Sequence, residues 1–469
     1  MTTTRSFPSR RTMLKGATAV AASAALPSWF LEEVMAQDAP AAPRSQNDLP
    51  AIALVGCGGR GRGVAKEAQR FGRVVAVCDV DSSNRDGGAA DLAASQRETD
   101  QKLNRVAPGS GRQPGKINTY SDFRKMLDEE KDLHAIFNGT PDHWHTLINL
   151  AAMKRGKDVY SEKPLTLTIE EGRRVVNTAK ETKRVLQTGS QQRSDGQFRL
   201  VCELVRNGRI GKLQKVTTIL PAGMRDGPFQ SRPVPERLNW DMWLGQAPMV
   251  EYVPQRAHVT FRFWYDYSGG TITDWGAHHN DIALWGMGIE GSGPTSVEGK
   301  RLVEPIPGGY TAVPEYEVKY TYANGVEHTC RTTTADTIFG SEARKTEPGE
   351  RRNGVVFEGD KGWIYVRRGV LEASDPAILK EPLPSTAQRL YVSSDHTGNF
   401  FDCVRSRKDP VCHPEVGHRS VSVCHLGSIS LRLGRKLRWD PQKEQFDGDD
   451  EANRMVAREQ RKPWTYDIV

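Results

Sequence analysis

The residues Ala51-Ile52-Ala53-Leu54-Val55 form a short apolar run that leads directly into Gly56-Cys57-Gly58-Gly59-Arg60-Gly61. That order narrows the possible folds more than any other stretch of the chain. The apolar run predicts a buried strand, and residues 64–71 predict the helix that follows it. Each spaced glycine then has a physical task. Gly56 lets the chain turn sharply off the strand. Gly58 leaves room for a pyrophosphate against the backbone, and Gly61 lets the helix pack close to the sheet with its N-terminus toward the negative charge. Gly59 and Arg60 belong to the same loop and join the candidate cofactor contacts. A second apolar run, 74–78, ends in Asp79. An acid about 20 residues past such glycines, at a strand end, is placed to hold a ribose hydroxyl pair. The stretch reads as a dinucleotide site; the competing reading is an ordinary strand–turn–helix with a solvated aspartate.

A chain of 469 residues has room for two or three domains. Its formal net charge is +7, but the basic residues are scattered among nearly as many acids. No Lys/Arg block carries interleaved aromatics, which argues against nucleic acid as a partner. No apolar run is long enough to span a bilayer. The N-terminus reads as a targeting segment: Ser9-Arg10-Arg11-Thr12-Met13-Leu14-Lys15 is a twin-arginine signature, 16–26 is a short Ala-rich core, and Val34-Met35-Ala36 offers small residues for cleavage before Gln37. This predicts a signal over 1–36, a periplasmic or otherwise exported location, and the twin-arginine export machinery as a partner. An N-terminal amphipathic helix is the alternative. Residues 37–50 read as a flexible linker. Of seven cysteines, Cys57, Cys78 and Cys202 look like small core residues, while Cys403, Cys412 and Cys424 lie close enough in sequence to pair in an oxidising compartment; no pairing is assigned.

Strand patterns at 134–138, 158–160 and 185–190 alternate with helical patterns at 147–155 and 169–183, which implies a parallel sheet covered on both faces. The segment 82–128 reads as polar and irregular up to a helix start near Tyr120, with a surface loop at 106–116. Ligands bind at the carboxyl ends of strands in such sheets. The glycine loop, Asp79, the loop Thr140-Pro141-Asp142-His143-Trp144-His145 and Lys163 therefore share one rim. Thr140, Pro141 and His145 become candidate cofactor contacts, and His143 a candidate substrate contact. From Arg193 the pattern changes. A helix at 198–207 and strand-like runs at 214–220, 297–303, 315–322, 328–334 and 355–366 predict a second, α+β domain with an open, mostly antiparallel sheet. The expected division is a first domain over 51–192, a second over 193–446, and a charged tail, 447–469, wrapping the surface.

Two constellations carry chemistry. Lys163 stands at a strand end between Glu162 and Pro164. From there its ammonium can reach both a nicotinamide edge and a substrate hydroxyl, favouring alkoxide character on that oxygen. Glu162 is placed to orient it; a surface lysine before a proline turn is the competing reading. The second is Gly269-Gly270-Thr271-Ile272-Thr273-Asp274-Trp275-Gly276-Ala277-His278-His279-Asn280-Asp281. If helical from about Thr273, it places Asp274, His278 and Asp281 on one face. An imidazole buttressed by Asp274 suits proton removal near neutral pH. A metal site and a set of cap and core groups are the alternatives, and no metal is assigned. Arg193 and Asp281 join His143 as candidate substrate contacts.

The combination of Gly-Cys-Gly-Gly-Arg-Gly, Thr-Pro-Asp-His-Trp-His at 140–145, Glu162-Lys163-Pro164 and Gly-Gly-x3-Asp-x3-His-x2-Asp from Gly269 resembles the glucose–fructose oxidoreductase/inositol dehydrogenase/rhizopine catabolism (Gfo/Idh/MocA) family. The resemblance covers roughly 51–290 by motif. It implies a Rossmann domain followed by an α/β domain whose open sheet covers the nicotinamide and often mediates oligomers, so a homodimer or homotetramer is expected. It also implies catalytic roles for Lys163, Asp274 and His278, and a sugar, cyclitol or sugar derivative as substrate. An exported NAD(P)-dependent oxidoreductase is the leading expectation. A redox-assisted glycosidase and a non-catalytic dinucleotide-bound periplasmic protein are the alternatives, and Lys163 counts against the former. Asp79 should repel a 2′-phosphate and favour NAD, although Arg60, Arg85, Ser82 and Ser83 leave NADP open. An exported enzyme meets no free dinucleotide pool, so tight cofactor binding is expected.

Overall fold

Strands β1 (Ala51–Val55), β2 (Arg73–Cys78), β3 (Asn118–Tyr120), β4 (Ala135–Asn138), β5 (Asp158–Ser161) and β6 (Leu186–Thr188) pair in parallel in the order β3-β2-β1-β4-β5-β6. This is a computed structural model, and it describes residues 26–37, 49–103, 105, 116–337 and 352–467. The twin-arginine signature, most of the linker and all but Lys116 of the expected 106–116 loop lie outside them. β1, β4 and β5 are buried at every position because helices cover both faces. The chain steps outward from β1 to β2 and β3, then returns to β4 on the other side. Such a reversal opens a crevice at the carboxyl ends of β1 and β4, which finish level with Val55 opposite Asn138.

The segment expected to be irregular instead contains the helix Ser82–Lys102. Asp81 caps it, accepting from the N–H groups of Ser83 at 2.9 Å and Asn84 at 3.4 Å. Gly88, Leu92, Gln96 and Asp100 are its buried residues. A cap and good helix formers make this helix without an apolar stripe, so periodicity does not reveal it.

The second sheet has nine strands: β7 (Leu213–Ala222), β8 (Ser296–Val303), β9 (Glu315–Thr321), β10 (Glu327–Thr337), β11 (Gly354–Gly359), β12 (Gly362–Arg367), β13 (Val370–Ala373), β14 (Leu437–Asp440) and β15 (Gln445–Phe446). Their order is β13-β12-β11-β7-β10-β9-β8-β14-β15, with β7 and β10 parallel and the other pairs antiparallel. Helices Gly196–Arg206, Gly276–Met287 and Pro414–Leu433 pack on the sheet. Phe198, Ile282, Phe357, Val318 and Leu426 are among the side chains that fill this core. Lys215, Glu298 and Lys319 point to solvent. The fold class is α/β: a doubly wound parallel domain plus a domain on an open, mostly antiparallel sheet.

Three segments bind the parts together. Helix His396–Ser406 returns to the first domain and buries Phe400 and Phe401 against Phe137 and Leu54. The tail does more than wrap the surface: Trp464 is 4% exposed, and its ring meets Trp144 edge-on at 4.9 Å. An aromatic of that size is drawn into the helical layer by the apolar area it buries. Helix Ser28–Gln37, inside the stretch expected to be removed as a signal, packs Phe30 at 0% exposure against Phe198 and Leu200. The Arg199 guanidinium lies 4.4 Å from the Phe30 ring, and Glu33 pairs with Arg389 at 3.1 Å. All seven cysteines are buried free thiols, so Cys403, Cys412 and Cys424 do not pair.

Trp464→Ala is expected to cost about 3–5 kcal/mol, the usual range for emptying a buried aromatic site. Urea unfolding followed by intrinsic fluorescence measures this, and an unchanged midpoint would reduce the tail to a surface strap.

Candidate active site

The crevice between the domains is a cleft of ≈ 590 Å³. At one end stands the glycine loop. Gly56 has φ +87°, and a Cβ there would lie 2.6 Å from Thr140 N. A Cβ on Gly61 would stand 2.0 Å from Gly56 O, so only glycine lets helix Gly59–Ala68 start this close to β1. Gly58 and Gly59 are different: no atom lies within 4 Å of where their Cβ would be. The helix also begins without a side-chain cap. Free N–H groups facing open space form a cradle for an anion, and a dinucleotide pyrophosphate fits it.

Asp79 lines the cleft at the end of β2. Its carboxylate accepts from Cys57 N at 2.7 Å and Asp81 N at 2.9 Å, which fixes it beside the glycine loop. Burial lifts this carboxyl above its ordinary value, and the two N–H donors work against the lift. The cations that would favour a 2′-phosphate are already paired. Arg85 holds Asp86 at 2.7 Å, and Arg60 holds Glu162 at 2.8 Å.

Thr140 and Pro141 also line the cleft. Thr140 Oγ1 donates to Asn138 Oδ1 at 2.7 Å, and Asn138 Nδ2 donates to Asn149 Oδ1 at 2.8 Å, so the loop hangs from a buried amide pair. The two expected histidines do not reach the cleft. His145 turns its ring nitrogens to Pro164 O at 2.7 Å and Thr140 O at 2.9 Å, tying this loop to the one that carries Lys163. His143 Nε2 sits 2.9 Å from Trp243 O, and burial drives its pKa down to about 3. Both belong to the frame rather than to a ligand contact.

Lys163, Asp274 and His278 all line the cleft. Their bonding differs from the expected pattern. Lys163 Nζ donates to Asp274 Oδ1, and to Asp274 O at 3.0 Å. Arg262 Nε approaches the same carboxylate at 3.4 Å. Burial opposes ionisation of Asp274, but the Lys163 and Arg262 charges outweigh it and hold the carboxyl below its ordinary value. Asp274 thus positions the lysine and makes no hydrogen bond to His278. Glu162 likewise serves Arg60, and Gln191 at 3.2 Å, rather than Lys163. Burial, then the Lys163 and Arg368 charges, push His278 well below its usual value. Its Nδ1 is buried without a partner among the described residues, which leaves Nε2 as the ring atom open to the cleft.

Asp281 departs most from expectation. The helix is broken at Trp275 into Thr271–Asp274 and Gly276–Met287, and Asp281 lies one turn deeper than His278. It forms a fork with Arg193 at 2.7 and 2.8 Å and accepts from Ser420. Arg193 and Asp281 are therefore a buried structural pair, not substrate contacts. Among the described residues no three His, Cys, Asp or Glu side chains converge at metal distance. The cleft also recruits Asp142, Gln191, Arg262, Trp275 and Arg368. A charge inside the aromatic run Phe261-Arg262-Phe263-Trp264 could have flagged Arg262. Nothing in the sequence marks Arg368.

Residues 51–190 match an oxidoreductase family's NAD-binding Rossmann fold, and residues 223–466 match its C-terminal alpha/beta domain. The chain belongs to the Gfo/Idh/MocA family. It is an NAD-dependent oxidoreductase. The scyllo-inositol 2-dehydrogenase (NAD(+)) of Bacillus subtilis strain 168 is 23% identical over 69% of this chain and 83% of its own length. The levoglucosan dehydrogenase of Pseudarthrobacter phenanthrenivorans is 31% identical, over 23% of this chain and only 27% of that protein. Among solved structures, the WlbA dehydrogenase of Bordetella pertussis, in complex with NADH and UDP-GlcNAcA, superposes with a TM-score of 0.58 at 18% identity. The match covers 85% of this chain and 99% of that one, a likeness of fold.

If Asp79 holds the ribose, Asp79→Ser lowers the NAD-over-NADP preference about 10- to 100-fold, the worth of a hydrogen-bond pair to a charged group. Fluorescence titration with both reduced nucleotides reads this, and an unaltered ratio would move the discrimination elsewhere.

Proposed function

We propose that this enzyme oxidises a secondary hydroxyl of a sugar, cyclitol or sugar derivative, or reduces the matching carbonyl, with NAD as partner, after export by the twin-arginine route. The observation that carries the chemistry is the meeting of Lys163 and the open Nε2 of His278 in the cleft that also holds the glycine loop and Asp79. NAD bound there supplies the hydride acceptor. Lys163, held by Asp274, donates a hydrogen bond to the reacting oxygen and stabilises its alkoxide character. His278 accepts the hydroxyl proton at Nε2. Asp274 acts through the lysine alone. The inositol and levoglucosan dehydrogenases among the relatives support a CH–OH substrate.

Lys163→Ala should lower kcat about 100- to 1,000-fold, the usual cost of losing one oxyanion donor, while leaving NAD affinity near wild type. His278→Ala should lower it about 10²- to 10⁴-fold. The pH dependence separates the two roles. Because the His278 pKa lies well below 6.5, the base is already neutral at pH 7. In the wild type kcat/KM therefore stays level as pH falls through 6.5 and drops only at lower pH, where the imidazole gains a proton. In His278→Ala that acid limb disappears. A limb that survives the substitution would assign the proton to another group.

The export reading rests on Ser9 to Lys15. It predicts that periplasmic fractions contain the protein with NAD still bound, and that changing Arg10 and Arg11 to Lys retains it in the cytoplasm. Nucleotide extraction and mass measurement test the first part. Release of NADP, or of no nucleotide at all, would contradict tight NAD binding.

A further inference from the structure

Arg368 occupies the turn between β12 and β13, whose register pairs Arg367 with Val370 and leaves Arg368-Gly369 as a two-residue loop. Gly369 takes φ +74°, the positive value a type II turn needs at its second central residue. Its N–H donates to Gln197 Oε1 at 3.1 Å and ties the turn to helix Gly196–Arg206. The side chain reaches the cleft with its guanidinium 5.2 Å from the centre of the Trp275 ring. Trp275 adjoins Asp274 and packs edge-on to His278 at 6.0 Å.

The acids on this side of the cleft are committed elsewhere. Asp274 serves Lys163 and Arg262, Glu162 serves Arg60, and Asp142 accepts from Ser268. Asp195 caps the helix through Gln197 N at 2.9 Å. Among the described residues no carboxylate lies within ion-pair distance of Arg368. Around the catalytic pair, Lys163 and Arg262 share Asp274 and Arg60 holds Glu162, so the Arg368 guanidinium is left without a counter-charge among the described residues. A neutral polyol offers nothing to balance it.

We infer that Arg368 is a specificity-determining residue that binds a carboxylate of the substrate, so that the enzyme acts on a sugar acid rather than a neutral sugar. The inference rests on the oxidoreductase reading above. A guanidinium presents a rigid planar fork that matches a carboxylate bidentately. Stacking on Trp275 holds that fork in place and adds a cation–π contribution. One unpaired guanidinium calls for one negative charge, which favours a carboxylate over a phosphate dianion.

The test uses the NAD-loaded enzyme with D-glucuronate, D-galacturonate and D-gluconate, their neutral counterparts D-glucose and D-galactose, and D-glucose 6-phosphate. Calorimetry reads binding, and absorbance reads NADH formation. At least one sugar acid should bind about 10- to 100-fold more tightly than its neutral counterpart, as a hydrogen bond to a charged group predicts. Arg368→Gln should erase that preference, chiefly through KM, with melting temperature unchanged, and Arg368→Lys should keep part of it. Failure of every acid to bind above the neutral sugars, or a preference that survives in Arg368→Gln, overturns the inference. Preference for the phosphate ester overturns the carboxylate assignment. Acids that bind through Arg368 without any NADH formation sustain this inference and sink the oxidoreductase reading instead.

Discussion

The bond between Lys163 and Asp274 joins the two domains inside the cleft. The ammonium stands just past the end of β5, and the carboxylate comes from a short helix of the second domain. Their side chains are 14% and 10% exposed, too dry for either charge to stand alone without a penalty. Docking of the second domain is thus what makes a lysine tolerable in the cleft. The same docking brings His278 in on the following helix. One electrostatic requirement therefore bears both on how the domains meet and on the placing of His278 beside Lys163 in the cleft.

That arrangement also sets the protonation state of His278. Lys163 and Arg368 lie near enough to His278 for their charges to lower its affinity for a proton, and burial acts in the same direction. An imidazole tuned this way binds a proton weakly and is neutral throughout the neutral range. Asp142 is tuned the other way: burial raises its carboxyl to about 7 despite the Ser268 donor and the Arg262 and Lys163 charges. Two acids in one cleft, Asp142 and Asp274, end with opposite shifts because only one makes direct contact with the cations.

What could be read in the sequence was whatever the backbone itself enforces. The glycine loop and Asp79 were legible because a close approach of helix to strand leaves no alternative to glycine, and the residue count from the loop to the next strand end is short. Alternating strands and helices gave the parallel sheet for the same local reason. Lys163, Asp274 and His278 were found as members of the cleft, but their partners were not, since hydrogen-bond choice depends on which elements meet. Asp281 has the right spacing to join them, yet the helix passes over Arg193 and that guanidinium claims it. His143 was expected to meet substrate, but Trp243, 100 residues away, closes over it. Arg368 was silent because a hairpin turn tolerates almost any residue next to its glycine.

The return of Phe400, Phe401 and Trp464 to the first domain has a consequence for how the protein comes into being. A chain emerging from the ribosome offers β1 to β6 first, but the aromatic side chains that seal both helical layers follow only after β13 has been made. Until then the interior beside the parallel sheet is incomplete. The first domain is therefore not packed from residues 51–192 alone: its core is completed by segments that follow most of the second sheet.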